Sequence, residues 1–219
     1  EHNLMKANAS DSAIYKDVLP AIDIQKSHTG SLNEGTAGQV LIYSFTVSNN
    51  STASTDPINI SSLSDSVLGN LLPAFMTANG GSAVIAPNTS VTFSVNYNAP
   101  VANAGTIIAN TVSVFGTDDE MNPTQASDSD SETYKDLLPS IDIQKSHTGT
   151  LNEGTDGQVL IYSFTVSNNS TASTDPINIS SLSDSVLGDL LAAFKAANAG
   201  SSVLAHGQSV TFSVNYNAP

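Results

Sequence analysis

Val40-Leu41-Ile42-Tyr43-Ser44-Phe45-Thr46-Val47-Ser48-Asn49 is the stretch that decides the fold. Leu41, Tyr43, Phe45 and Val47 occupy every second position, and alternation of this kind puts them on one face of a β-strand. The same ten residues return unchanged at Val159–Asn168. Outward from this stretch the apolar period stays at two: Ile22 and Ile24, Ile58 and Ile60, Val91, Phe93, Val95 and Tyr97, then Ile108, Val112 and Val114. Turn residues separate these runs at Gly35-Thr36-Ala37-Gly38, Asn49-Asn50-Ser51, Asp56-Pro57, Ala86-Pro87-Asn88 and Gly116-Thr117-Asp118-Asp119. Roughly seven short strands without alternating helices predict an all-β, immunoglobulin-like β-sandwich. One segment breaks the period. Leu68, Leu71, Leu72 and Phe75 follow helical spacing, so a short helix is expected within residues 66–79, capped by Asp65 or Ser66 and stopped by Asn79-Gly80-Gly81.

The chain repeats itself. Residues 15–100 align without a gap on residues 134–219 at an offset of 119, with 72 of 86 positions identical. The helical face recurs at Leu187, Leu190, Leu191 and Phe194. Near identity within one chain marks recent duplication and predicts sandwich repeats in tandem. The boundaries follow: residues 1–14 as the tail of a preceding repeat, 15–133 as a complete repeat, and 134–219 as a second repeat without its last two strands.

Composition excludes several function classes. Twenty Asp and Glu face six Lys and no Arg, a formal charge of −14 over 219 residues. A nucleic-acid binder needs a basic face, so none is expected. No apolar run approaches the ~18 residues that span a bilayer, so no membrane insertion is expected in this segment. Zero Cys removes disulfides, thiol catalysis and Cys-ligated zinc. No nucleophile elbow and no phosphate-binding glycine loop occurs, so no enzymatic activity is expected.

Three motifs in order carry a family resemblance: Ile22-Asp23-Ile24-Gln25-Lys26-Ser27, then Tyr43-Ser44-Phe45-Thr46-Val47-Ser48-Asn49-Asn50, then Ala109-Asn110-Thr111-Val112-Ser113-Val114. Together they resemble the conserved-repeat immunoglobulin-like domains of large bacterial and archaeal surface proteins. The resemblance implies an extracellular or cell-surface array, stalk-like and common in adhesins, whose partners are adjacent repeats of the same array and a distal glycan or protein ligand. The expected function is a structural extender, with a glycan- or protein-binding adhesion module as the alternative.

The main chemical signal is acidic. Asp118, Asp119, Glu120, Asp128, Asp130, Glu132 and Asp136 fall within 19 residues, opposed only by Lys135. Charges this dense repel unless neutralised, and Ca2+ takes six to eight oxygen ligands. Asp118, Asp119, Glu120, Asp128 and Asp130 are therefore the candidate calcium ligands, with Asp65, Asp136, Asp184 and Asp189 as weaker candidates. The other reading of these acids is a solvated hairpin that keeps the array soluble. Strand parity also turns Lys26 and Asn110 inward, near an acid such as Glu132. These are the parts of a self-formed Lys–Asn isopeptide bond, although a snorkelling lysine and a backbone-bonded asparagine account for the same pattern.

Overall fold

The computed structural model describes residues 8–219, so the first half of the 1–14 tail lies outside the described residues. Strands hold 46% of the chain and helices 7%, an all-β protein with a sandwich fold. The strands are β1 Ile22–Thr29, β2 Val40–Asn49, β3 Ile58–Asp65, β4 Gly69–Asn70, β5 Val84–Ile85, β6 Ser90–Asn98, β7 Ile107–Thr117, β8 Pro123–Thr133, β9 Ile141–Thr148, β10 Val159–Asn168, β11 Ile177–Asn178, β12 Ser183–Asp184, β13 Gly188–Asp189, β14 Val203–Leu204 and β15 Ser209–Asn217. Helices α1 (Leu72–Ala78) and α2 (Leu191–Ala197) complete the chain.

Contacts gather these elements into two compact units. One holds the described residues up to Ser27 with Ser44–Val95 and Asn110–Ser129; the other holds His28–Tyr43, Asn96–Ala109 and Asp130–Pro219. The residue pattern explains the sheets. In β2 the alternation seen in the sequence buries Leu41, Tyr43, Phe45 and Val47 completely. Strand order is β1-β2-β6 in one sheet and β4-β3-β7-β8 in another, with β5 also paired to β3. β3 and β7 run antiparallel with Leu63 opposite Val114 and Asp65 opposite Val112. Phe45 and Phe93 stack at 5.2 Å, and Phe75 of α1 meets Phe93 edge-on at 6.3 Å, so the helix closes the first unit's core.

The helix is shorter than its apolar spacing predicts. Asp65 does not cap it; its carboxylate accepts the N–H groups of Val67 and Leu68 instead, at 2.9 and 2.8 Å. That turn, completed by Gly69 at φ 77, folds β4 back onto β3. Helical backbone begins only at Leu72, where Pro73 fits the first turn and Asn70 accepts the Leu72 N–H at 3.1 Å. The expected stop holds: Asn79 ends α1 and its amide donates to Ser82 and Val84 carbonyls.

In the second unit β10 lies between β9 and β15, in continuous antiparallel register with both. Phe164, Phe194 and Phe212 reproduce the aromatic cluster at 5.4 and 6.3 Å. Residues 177–184 repeat the sequence of β3 but form only the two-residue pieces β11 and β12. Among the described residues no helix is long and apolar enough to cross a membrane.

Candidate functional site

The structure divides the acids between distinct jobs. Asp118, Asp119 and Glu120 sit in the turn between β7 and β8. Asn122 closes that turn: its N–H and side-chain amide donate to Asp118 at 2.7 and 2.9 Å, and the same amide donates to Asp17 at 2.7 Å. Two triads result. Carboxylate oxygens of Asp17, Asp118 and Glu120 lie within 4.8 Å of one another, and so do those of Asp56, Asp119 and Glu120. Three separate chain segments thus converge on Glu120. Loss of solvent, then the neighbouring Asp119 carboxylate and the charge of Asp17, raise the Glu120 carboxyl above its ordinary value.

Asp56 is the most telling member. It is 4% exposed, and its Oδ2 is buried with no hydrogen-bond partner among the described residues. Its Oδ1 accepts from the Thr55 hydroxyl at 3.3 Å. A buried carboxylate oxygen without a donor costs free energy that a cation would offset. The set is all oxygen and mostly carboxylate, which suits a hard divalent ion.

Asp128 and Asp130 take no part in this cluster. Asp128, Asp130 and Glu132 share the partly buried face of β8, and there they meet protein donors. Thr124 and Asp128 accept the Ile22 and Lys26 N–H groups at 3.3 and 2.7 Å, and Glu132 accepts that of Leu32 at 3.2 Å. Asp130 meets His28 Nδ1 at 2.6 Å, and Glu132 reaches the other ring nitrogen at 3.4 Å. Thr124 and Asp128 thus satisfy backbone donors on the edge of β1, and Glu132 satisfies one just past its end. Asp189 accepts the Leu191 N–H at 2.9 Å, at the start of α2.

Asp65 and Asp184 bind lysines, not each other or the turn acids. Lys26 Nζ lies 2.5 Å from Asp65 Oδ2 with both side chains fully buried, and Lys145 Nζ lies 2.5 Å from Asp184 with the lysine 37% exposed. Lys145, through its hydrogen bond, draws the Asp184 carboxyl below its ordinary value.

Asp136 belongs to a third arrangement, centred on Glu34. The buried Glu34 carboxylate accepts the Leu137 N–H at 2.9 Å, the Ala104 N–H at 3.2 Å and the Thr174 hydroxyl at 3.2 Å. Lys135 and the 32–34 stretch exchange backbone bonds of 2.8 and 2.9 Å, and the Gly35 carbonyl accepts the Ser173 N–H and hydroxyl at 3.1 and 2.7 Å. The Leu137 N–H, followed by the Asp136 carboxyl, lowers the Glu34 carboxyl below its ordinary value, while Glu34 raises that of Asp136.

Spacing alone did not single out Asp17, Asp56 or Glu34. One signal was available: all three recur at the 119-residue offset, as Asp136, Asp175 and Glu153. No protein-family model matches the chain, and no curated protein matches it in sequence.

Proposed function

We propose that the chain is a structural extender, a stretch of immunoglobulin-like stalk from a large bacterial surface or secreted protein of the adhesin kind, folded and stiffened by calcium. The recurrence of both halves of the Glu34 clasp carries this reading. Glu34 and Gly35 have counterparts Glu153 and Gly154; Asp136, Ser173 and Thr174 have counterparts Asp17, Ser54 and Thr55. Each copy therefore holds an accepting loop and a donating loop, and joining unlike surfaces extends an array instead of closing it. An extender needs length, which near-identical copies provide.

Asp17, Asp56, Asp118, Asp119 and Glu120 would hold the ion, supplying most of its oxygens from three segments. Bound only by the folded chain, calcium would raise stability by mass action. Calorimetric titration of the EDTA-treated protein with CaCl2 should give saturable binding, with a Tm rise that MgCl2 does not match. Asp56→Asn combined with Asp118→Asn should abolish both. No heat and no Tm shift would overturn the calcium reading.

One observation favours a binding module instead. Phe115 stands 44% exposed on β7 beside a shallow cleft lined by Ser61, Gly116, Thr117, Pro123 and Gln125, a surface on which a sugar ring could stack. Binding on a glycan array that Phe115→Ala removes would replace the extender reading with that one.

A further inference from the structure

The Lys26–Asp65 pair lies in the core beside an unusual third residue. Asn110 is 1% exposed and its Nδ2 finds no acceptor among the described residues. It stands two positions before Val112, the residue directly opposite Asp65, so Asn110 and Asp65 share the inner face of the β3–β7 pair. Its Oδ1 accepts the Ser66 hydroxyl at 3.0 Å, and Ser66 Oγ in turn accepts the Thr111 N–H at 2.9 Å. The Thr111 contact leaves the hydroxyl proton for the carboxamide oxygen. Asp65 Oδ1 is fixed by the Val67 and Leu68 N–H groups, which leaves Oδ2 for Lys26. The Phe45 ring lies 5.5 Å from the lysine nitrogen and keeps that side of the pocket apolar.

We propose that Lys26 and Asn110 form an intramolecular isopeptide bond, with Asp65 as the proton relay. The ammonium of Lys26 passes a proton to Asp65, leaving a neutral amine. The amine lone pair attacks Cγ of Asn110, and charge moves onto Oδ1, where the Ser66 hydroxyl receives it. Collapse re-forms the carbonyl and breaks the Cγ–Nδ2 bond. The leaving nitrogen takes its third hydrogen from the amine by way of Asp65 and departs as ammonia. Of the three ammonium protons, one stays on the new amide, one leaves with ammonia and one rests on Asp65 until solvent removes it. One amide replaces another, so no oxidant or cofactor is required. The acid in this role is Asp65; Glu132, the sequence-based candidate, is engaged by Leu32 and His28.

The second copy supplies an internal control. Lys145, Asp184 and Ser185 reproduce Lys26, Asp65 and Ser66, but no asparagine matching Asn110 occurs in the 219 residues. One bond is therefore expected, not two.

Intact mass of the denatured full chain tests this. The expected value lies about 17 Da below the sequence mass, the loss of one ammonia. Cleavage after glutamate should then yield residues 2–34 joined to residues 35–120. Lys26→Ala and Asn110→Ala should each restore the unlinked mass, and Lys145→Ala should keep the deficit. A wild-type chain at full sequence mass overturns the proposal. So does a deficit that hydroxylamine abolishes, which would mark a succinimide at an asparagine.

Discussion

Residues Ile58–Asp65 and residues 177–184 are the same octapeptide, INISSLSD, in two different states. The first is one eight-residue strand, with Ile58 and Ile60 buried before a bulge and Leu63 and Asp65 buried after it. The second is two dipeptide strands, and Leu182, which matches the fully buried Leu63, is only partly covered. The difference lies alongside the octapeptide, not within it. β3 has β7 as its antiparallel neighbour, and no described strand takes that place beside residues 177–184. The octapeptides of β1 and β9 are both full strands and differ in burial alone. Both are IDIQKSHT and occupy matching edges of their sheets, yet Ile24 is buried whereas Ile143 is 49% exposed. Strand formation follows from a paired neighbour more than from residue preference, since the exposed β9 is a full strand against β10.

The largest expected effect comes from supplying the missing neighbour. A chain extended after Pro219 by a second copy of residues 101–133 places counterparts of the fully buried Val112 and Val114 against residues 177–184. Burying two such valines contributes about 3 kcal/mol or more. Amide exchange of residues 179–182 should slow by a factor of about one hundred. The extension also brings an asparagine to Lys145, so the mass deficit should double. Unchanged exchange in a folded, extended chain would show that the octapeptide needs more than β7 to become a strand.

The same comparison separates what was legible in the sequence. Period-two alternation locates β1, β2, β3, β6 and β7, whose apolar residues turn toward a core, and the repeat announces matched elements. Helical spacing at Leu68 and Leu71 starts α1 too early, since it cannot reveal that Asp65 commits its carboxylate to a turn. The acidic turn was visible as a charge cluster. Charge density groups Asp128 and Asp130 with it, because closeness in sequence does not show which donors each acid meets. Asp17 and Asp56 join the site through contacts more than sixty residues apart in the chain, which no local pattern encodes.

Gly35 and Gly154 form a second matched pair with a smaller difference. Both have positive φ, 58 and 73, so alanine costs about 1–2 kcal/mol of backbone strain at either. Only at Gly35 would the new Cβ fall 2.3 Å from the Ser173 nitrogen; at Gly154 it meets nothing within 4 Å. Gly35→Ala should therefore lower Tm by several degrees more than Gly154→Ala. Equal shifts would mean that the Glu34 clasp adds no stability.

The smallest effect is a pH signature of that clasp. Glu34 has an ordinary value of 4.5 and is lowered in the folded chain by the Leu137 N–H and then Asp136. A lowered carboxyl adds stability that is fully present above 4.5 and is lost as pH falls through the folded value. Asp136 has the opposite sign. Raised above 3.8 chiefly by Glu34, it favours the folded chain only while protonated, and that contribution is lost as pH rises through its folded value. At pH 7 Glu34→Gln should thus lower Tm and Asp136→Asn should raise it, and both changes should shrink toward pH 3. Glu153→Gln, on an exposed counterpart that the clasp does not hold, should leave the Tm–pH curve flat against wild type. If Glu153→Gln moved the curve as Glu34→Gln does, the effect would belong to the acidic surface as a whole, because the two carboxylates share the stretch Leu-Asn-Glu-Gly-Thr and differ in the hydrogen bonds they accept.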